Sequence, residues 1–356
     1  MSPRRYLERP VVEPGRHTYS QSEMAAAFRA RLEPLGEDAD AMRKMVGFVY
    51  EHSSIEQRHV EVGLDEIAEQ RSGWYRLVNQ ATLTLAQRTI EKLVRPDLPA
   101  STFDALVVVS ASYAGFPSLS RLLQTNLGLP LEAKCYDLTG LGCAGPTHGL
   151  HLADMLVATG AAKRVCVVCA DVMGTHGESR VHNEVPNMSQ LVAHCLASDG
   201  GAATVVSAEP LSEDAVSWDG CELHTRLWPE TLAENDFTAG PDNQPLIPVG
   251  KEIRTRLLPE LGPVMTSIDP ASSYFHPGGA ALMRKLGTTY PEFKPTLDIS
   301  SNVLSQHGNI GAASVLWVLH DAWAGGREFA DQLRLVALGP GIVATLIHFT
   351  GVQHQD

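Results

Sequence analysis

Residues 135–172 read CYDLTGLGCAGPTHGLHLADMLVATGAAKRVCVVCADV, and the succession of textures in this stretch decides the fold class. A short strand-like segment, KCYDLTG from Lys134, ends in small residues. Pro146 then stands where a helix opens, and helical spacing continues to Ala162. RVCVVCADV (164–172) follows as a continuous apolar run rich in β-branched residues, the mark of a strand buried on both faces. Strand, turn, helix and strand in that order is the repeating unit of an α/β domain.

Outward from this stretch the pattern repeats. DALVVVS (104–110) and GAATVVSAEP (201–210) read as further buried strands, with an irregular His- and Asn-containing segment before the second. Upstream, SEMAAAFRARLEPL (22–35), MRKMVGFVYEHS (42–53) and WYRLVNQATLTLAQRTIEKLV (74–94) carry helical spacing, with Ser20 or Ser22 as N-cap. Polar, Pro-rich connections run through PDNQPLIPVG (241–250). The chain resumes with a helix near Lys251 to Leu261, a strand-like TLDISSNV (296–303), the helix AASVLWVLHDAW (312–323) and a closing strand pair in LRLVALGPGIVATLIHF (333–349). The second half repeats the layout of the first without a close sequence repeat, so the chain divides into 1–210 and 211–356.

Bulk properties narrow the function. At 356 residues with 44% hydrophobic and 19% charged residues, the chain can bury a large core and is no disordered segment. A net charge of −13 argues against a broad basic face for nucleic acid, although a few local cations suffice for a phosphate. No apolar run approaches the roughly 18 residues needed to span a membrane, and the arginines near the start precede no apolar leader, so a cytoplasmic enzyme is expected. The six cysteines lie mostly inside apolar segments, which suits reduced thiols better than a disulfide framework.

Cys143 sits between Gly142 and Ala144, on a tight strand-to-helix turn near the positive end of a helix dipole. That setting lowers a thiol pKa, and Gly142 and Gly145 would let backbone amides approach a developing oxyanion. A small buried core cysteine is the competing reading. Two later segments bear on the choice. SSYFHPGGAAL (272–282) presents His276 before a Pro-Gly-Gly turn, and SQHGNIGAASVLWVL (305–319) presents Asn309 before an Ala-rich helix. Cys, His and Asn at element edges fit covalent acyl transfer, with the thiolate taking the acyl group and the two other side chains donating to a thioester oxygen. Spacing alone does not establish the trio.

The ordered series GLGCAG (140–145), LASDGGAATVV (196–206), HPGG (276–279), GNIGAASV (308–315) and ALGPG (337–341) resembles the type III polyketide synthases, the chalcone synthase-like branch of the thiolase-like superfamily. The match runs from about Asp104 to Phe349, with a weaker echo at SSIEQRHVEV (53–62). The resemblance implies an α/β fold of thiolase-like αβαβα five-layer type made of two similar halves, with the cysteine in 1–210 and the His and Asn in 211–356. It implies a homodimer in which Cys143 accepts a starter acyl group from a thioester. His276 and Asn309 then stabilise the enolate formed as malonyl thioester loses carbon dioxide, and His276 helps to keep the thiolate. Acyl-CoA and malonyl-CoA are the implied substrates, cyclisation follows extension, and no metal or redox cofactor is called for. Two other readings stay open: a third-type β-ketoacyl carrier-protein synthase that condenses once, whose histidine motif usually reads His-Gln-Ala-Asn, and a non-catalytic partner subunit.

Departures from the family pattern bear on substrate. Ala197 stands where many members carry an aromatic gatekeeper, which opens volume for a long acyl starter and points to pyrone- or resorcinol-like products. Ser112, Met173, His176 and Gly311 match cavity-lining positions, and Phe116 matches a residue that reaches into the partner's cavity. In HSSIEQR (52–58), where relatives place basic residues for coenzyme A, this chain has His52 and Glu56 and keeps Arg58 as coenzyme ligand. Other cations would then hold the coenzyme, or the donor arrives on an acyl carrier protein.

Other groups have plainer readings. Cys166 and Cys169, three apart in a strand, point to opposite faces and cannot chelate together. His148 and His151 share a helix face without an evident third ligand, so no metal site is expected. His182, His194, His224 and His307 stand in no motif, and the resemblance makes Asp199 a structural residue.

Overall fold

The computed structural model describes residues 4–69, 73–178, 187–229, 238–239, 245–246, 258–329, 331–339 and 343–354. Its framework is a large mixed sheet. From edge to edge it runs Ser273–Phe275, Asp331–Gly339, Val343–His354, Val216–Trp218, Arg5–Leu7, Asp199–Ser207, Arg164–Val172, Ala105–Val109 and Lys134–Leu138. Val11–Pro14 pairs with Asp199–Ser207, and Gly220–Leu227 pairs with Val343–His354. The Ala105–Val109 strand is parallel to both neighbours, and Ser273–Phe275 is parallel to Asp331–Gly339.

Alternation along the buried strands builds the layers. Val165, Val167 and Cys169 enter one core with Val107 and Val109, whereas Cys166, Val168 and Ala170 enter another with Leu106 and Val108. The second core is closed by Leu85, Ala86 and Ile90 of the Trp74–Glu91 helix. The first is filled by two central helices, Gly145–Ala158 and Ser314–Ala324, and its far wall is Leu333, Leu335, Ile347 and Phe349 of the second-half strands. Val336 and Leu346, on the other face of those strands, pack under Leu261, Leu282 and Leu297 from three outer helices. Helix, sheet, helix, sheet, helix is therefore the order through the molecule, and the strands Ala105–Val109, Arg164–Val172 and Asp199–Ser207 are buried on both faces because they lie between two helical layers. Glycine permits the close contact between the central helix and the sheet: a Cβ on Gly145 would lie 2.3 Å from Val109 Cγ1.

Two segments differ from their sequence reading. TLDISSNV lies within a helix, Lys294–His307, because Leu297, Ser300, Val303 and Leu304 recur at helical spacing on its buried side and outweigh the β-branched residues. The irregular segment before Asp199 contains the helix Met188–Leu196, which Asn187 and Gln190 open as a reciprocal capping box. The proposed N-cap at the first helix is Ser20, in the same kind of box with Glu23. PDNQPLIPVG falls almost wholly outside the described residues.

Candidate active site

Cys143 is the middle residue of a one-turn 3₁₀ segment, Gly142–Ala144, that runs directly into the central helix Gly145–Ala158. Gly142 has φ of 50°, which a side chain would strain. This turn packs against a second 3₁₀ turn, Gly311–Ala313, and against the strand Asp331–Gly339. The backbone of Gly339 comes so near that a Cβ there would lie 2.8 Å from Ala144 Cβ.

Those two neighbours carry the other candidates. Asn309 lies two residues before the Gly311 turn, and its backbone is held between Leu196 and Ser198: Asn309 N–H donates to Leu196 O at 2.8 Å and Ser198 N–H to Asn309 O at 2.9 Å. Its side-chain oxygen accepts from Gly311 N–H (3.1 Å) and Ser314 Oγ–H (3.4 Å), whereas its amide NH₂ donates to no described residue. His276 follows the Ser273–Phe275 strand, and its N–H donates to Val336 O at 2.8 Å. His276 is 4% exposed, and its buried Nδ1 has no hydrogen-bond partner among the described residues. It borders a cavity of about 20 Å³, room for one water, together with Phe275, Met265, Leu282 and Val336.

Electrostatics depart from the sequence reading. The Cys143 thiol is pushed up to about 12, first by burial and then by the Asp171 carboxylate, so the helix terminus does not prevail. Burial pushes His276 down to about 4. The resting pair is thus a neutral thiol and a neutral imidazole.

Asp171 is the residue that sequence reasoning missed. Fully buried at the end of Arg164–Val172, it accepts from Ala111 N–H (2.7 Å) and Ser112 N–H (3.2 Å) through Oδ1 and from Ala312 N–H (2.7 Å) through Oδ2. It therefore ties the Cys-side sheet to the Asn-side turn. Its signal was a carboxylate closing an otherwise apolar strand. Asp199, read as structural, accepts from the amides of Glu61, Gly174 and Thr175, and burial pushes it up to about 7.

The remaining candidates are placed as follows. Ala197 is half-buried and pairs in parallel with Asn309. Met173 is half-buried at the start of Met173–Glu178, and the His176 side chain lies outside the described residues. Ser112 is buried, and its Oγ accepts from Val172 N–H at 3.0 Å and lies 3.0 Å from Thr82 Oγ1, so the hydroxyl is engaged in packing. Gly311, with φ of 59°, lacks a side chain because a Cβ would lie 2.4 Å from Asp171 Oδ2. Phe116 is fully exposed. Arg58 requires correction as a coenzyme ligand. It is 0% exposed, and its guanidinium donates to the His194 and Ala197 carbonyls, closing the end of the Met188–Leu196 helix. Cys166 and Cys169 belong to opposite cores. His307 stacks on His59, with Nδ1 3.0 Å from its Nε2. His224 is exposed, His194 is buried, and His182 lies outside the described residues. So do Pro340 and Gly341.

Five layers, with a thiol on the turn that opens a central helix, define the thiolase-like class. Residues 47–219 match the family model described as FAE1/Type III polyketide synthase-like protein. The chain is 25% identical over 351 residues to the 1,3,6,8-tetrahydroxynaphthalene synthase of Streptomyces peucetius subsp. caesius, over 93% of this chain and 89% of that protein. It is similar to the crystal structure of 1,3,6,8-tetrahydroxynaphthalene synthase from Streptomyces coelicolor A3(2), with TM-score 0.82, 19% identity and coverage of 97% and 98%. It is also similar to CsyB complexed with CoA-SH, with TM-score 0.78, 19% identity and coverage of 97% and 99%. A type III polyketide synthase-like domain therefore spans 47–219, and over nearly its whole length the chain resembles acyl-transferring enzymes that make polyketides. Among the described residues, no helix is long and apolar enough to cross a membrane.

Proposed function

We propose that this enzyme condenses an acyl-CoA starter with malonyl units and cyclises the product, with Cys143 as nucleophile and His276 and Asn309 as donors to the thioester oxygen. The observation that carries this reading is the packing of the Cys143 turn against the turn after Asn309 and the strand bonded to His276. The Cys143 sulfur attacks the starter carbonyl, its proton passes to His276, and coenzyme A leaves as the free thiol. Malonyl thioester then loses carbon dioxide. The enolate oxygen is held by His276 and by the uncommitted NH₂ of Asn309. Its carbon attacks the Cys143 thioester, the sulfur departs, and the lengthened chain rests on coenzyme A. No step changes a redox state, so none calls for a redox cofactor. The halves 1–210 and 211–356 work as one unit, because the nucleophile and its donors come from different halves.

Ala197 leaves the space beside Asn309 free of an aromatic ring, in favour of a long starter. Arg284 is the cation we assign to the coenzyme phosphates in place of Arg58: it is exposed, and its guanidinium donates to Ser54 Oγ at 3.2 Å, within the HSSIEQR segment. CsyB, with CoA-SH bound, supports a free coenzyme over a carrier protein. Exposed Phe116 suits a homodimer contact. The test is product analysis by mass after incubation with malonyl-CoA and acyl-CoA starters of graded length. Cyclised products from long starters are expected. A linear product of one extension would instead support the single-condensation reading, and strict preference for short starters would remove the long-chain one.

A further inference from the structure

His151 and Asp154 lie on the central helix that Cys143 precedes, three residues apart and so on one face. The strand Gly220–Leu227 packs on this helix and brings Cys221 to the same place. One ligand atom from each of the three lies within 4.8 Å of the others, and His151 Nδ1 is 3.8 Å from Cys221 Sγ. The third ligand absent from the sequence neighbourhood of His148 and His151 thus arrives from 70 residues away. His148 takes no part, since its Nδ1 donates to the Ala144 carbonyl at 3.1 Å.

We propose that His151, Asp154 and Cys221 form a three-ligand site for a zinc-type transition-metal ion, clipping the central helix of the first half to a strand of the second.

Three observations carry this. With a metal–sulfur bond of about 2.3 Å and a metal–nitrogen bond of about 2.1 Å, tetrahedral ligation separates sulfur and nitrogen by about 3.6 Å, so the 3.8 Å found needs little adjustment. Imidazole, thiolate and carboxylate together suit zinc or cobalt and not magnesium or calcium. The carboxylate is already oriented: Arg5 Nε (2.8 Å) and Trp218 Nε1 (2.7 Å) both donate to Asp154 Oδ1, while Oδ2 accepts from no described residue. The Arg5 charge opposes a cation and holds the affinity below that of an all-thiolate site. On binding, the Cys221 S–H bond breaks, the proton goes to solvent and the sulfur–metal bond forms, with no redox change. The site lies along the helix from Cys143 and takes no part in the condensation.

The test is a cobalt(II) titration of the whole protein after dialysis against a chelator. A near-ultraviolet sulfur-to-cobalt absorption that saturates at one equivalent and is displaced by zinc is expected. Cys221→Ser should abolish the band, His151→Ala should weaken cobalt binding at least tenfold, and Cys143→Ala should leave both unchanged. No band, or a band that survives Cys221→Ser or disappears in Cys143→Ala, overturns the proposal. His151 is half-buried, so its variant keeps the test valid if Cys221→Ser misfolds; unchanged cobalt affinity there also overturns it.

Discussion

The turn Gly142–Ala144 with its helix Gly145–Ala158, and the turn Gly311–Ala313 with its helix Ser314–Ala324, are the same device built twice. Each opens on a glycine of positive φ, 50° at Gly142 and 59° at Gly311, makes one 3₁₀ turn and continues as a central helix. They pack against each other. Where the first has Cys143, the second has Ala312, whose N–H is held by Asp171. A strand, Lys134–Leu138, feeds the first turn, whereas a helix, Lys294–His307, feeds the second and delivers Asn309. One local geometry therefore serves two ends: it presents a thiol, the nucleophile we propose, in one half and a carboxamide held through its oxygen in the other.

The comparison breaks most sharply at the sulfur. Cys143→Ala makes the first turn resemble the second, so the fold should persist while product formation falls at least about 1,000-fold and the acyl-enzyme adduct disappears from intact-mass spectra. Substantial residual turnover would assign the chemistry elsewhere. Asn309→Ala should lower kcat by about 100-fold while leaving acylation of Cys143 measurable, which separates the donor edge from the nucleophile edge.

Stability tests sharpen the comparison further. Gly311→Ala meets both an unfavourable φ and the Asp171 carboxylate, and should lose about 2–3 kcal/mol in denaturant unfolding. Equal tolerance of alanine at both glycines would count against the role given to Asp171. The pH dependence tests the second-half histidine. His276 titrates near 4 when folded, below the ordinary 6.5, so the unfolded chain binds its proton first and stability falls as pH drops through 6.5 towards 4. From pH 7 to 5 this residue should cost about 2 kcal/mol, and His276→Gln should flatten the acid limb by that amount. Asp199 acts in the opposite sense. Held at about 7 against an ordinary 3.8, its folded carboxyl keeps a proton the unfolded chain has lost, so its contribution declines as pH rises from about 4 to 7.

The smallest effect concerns whether the second half also supplies the coenzyme cation. Arg284→Ala should raise KM for CoA thioesters about fivefold with kcat nearly unchanged, consistent with one exposed ion pair. An unchanged KM would return the phosphates to other groups.

Much of this molecule is readable in its linear order, because buried strands and the helix between them impose local periodicities that need no knowledge of the fold. RVCVVCADV reads as a doubly buried strand and is one, and Gly-Cys-Ala-Gly-Pro reads as a turn entering a helix and is one. What local texture could not decide was every property set by a distant partner. TLDISSNV became helical through the face it buries against the second-half sheet. Arg58, one exposed-looking cation in a polar stretch, became wholly buried because the carbonyls ending Met188–Leu196 lie over it. The Cys143 thiol went up and not down, because desolvation and Asp171, 28 positions further along, outweigh a helix terminus. Periodicity is a short-range signal, whereas burial and charge are sums over neighbours that only the folded chain assembles.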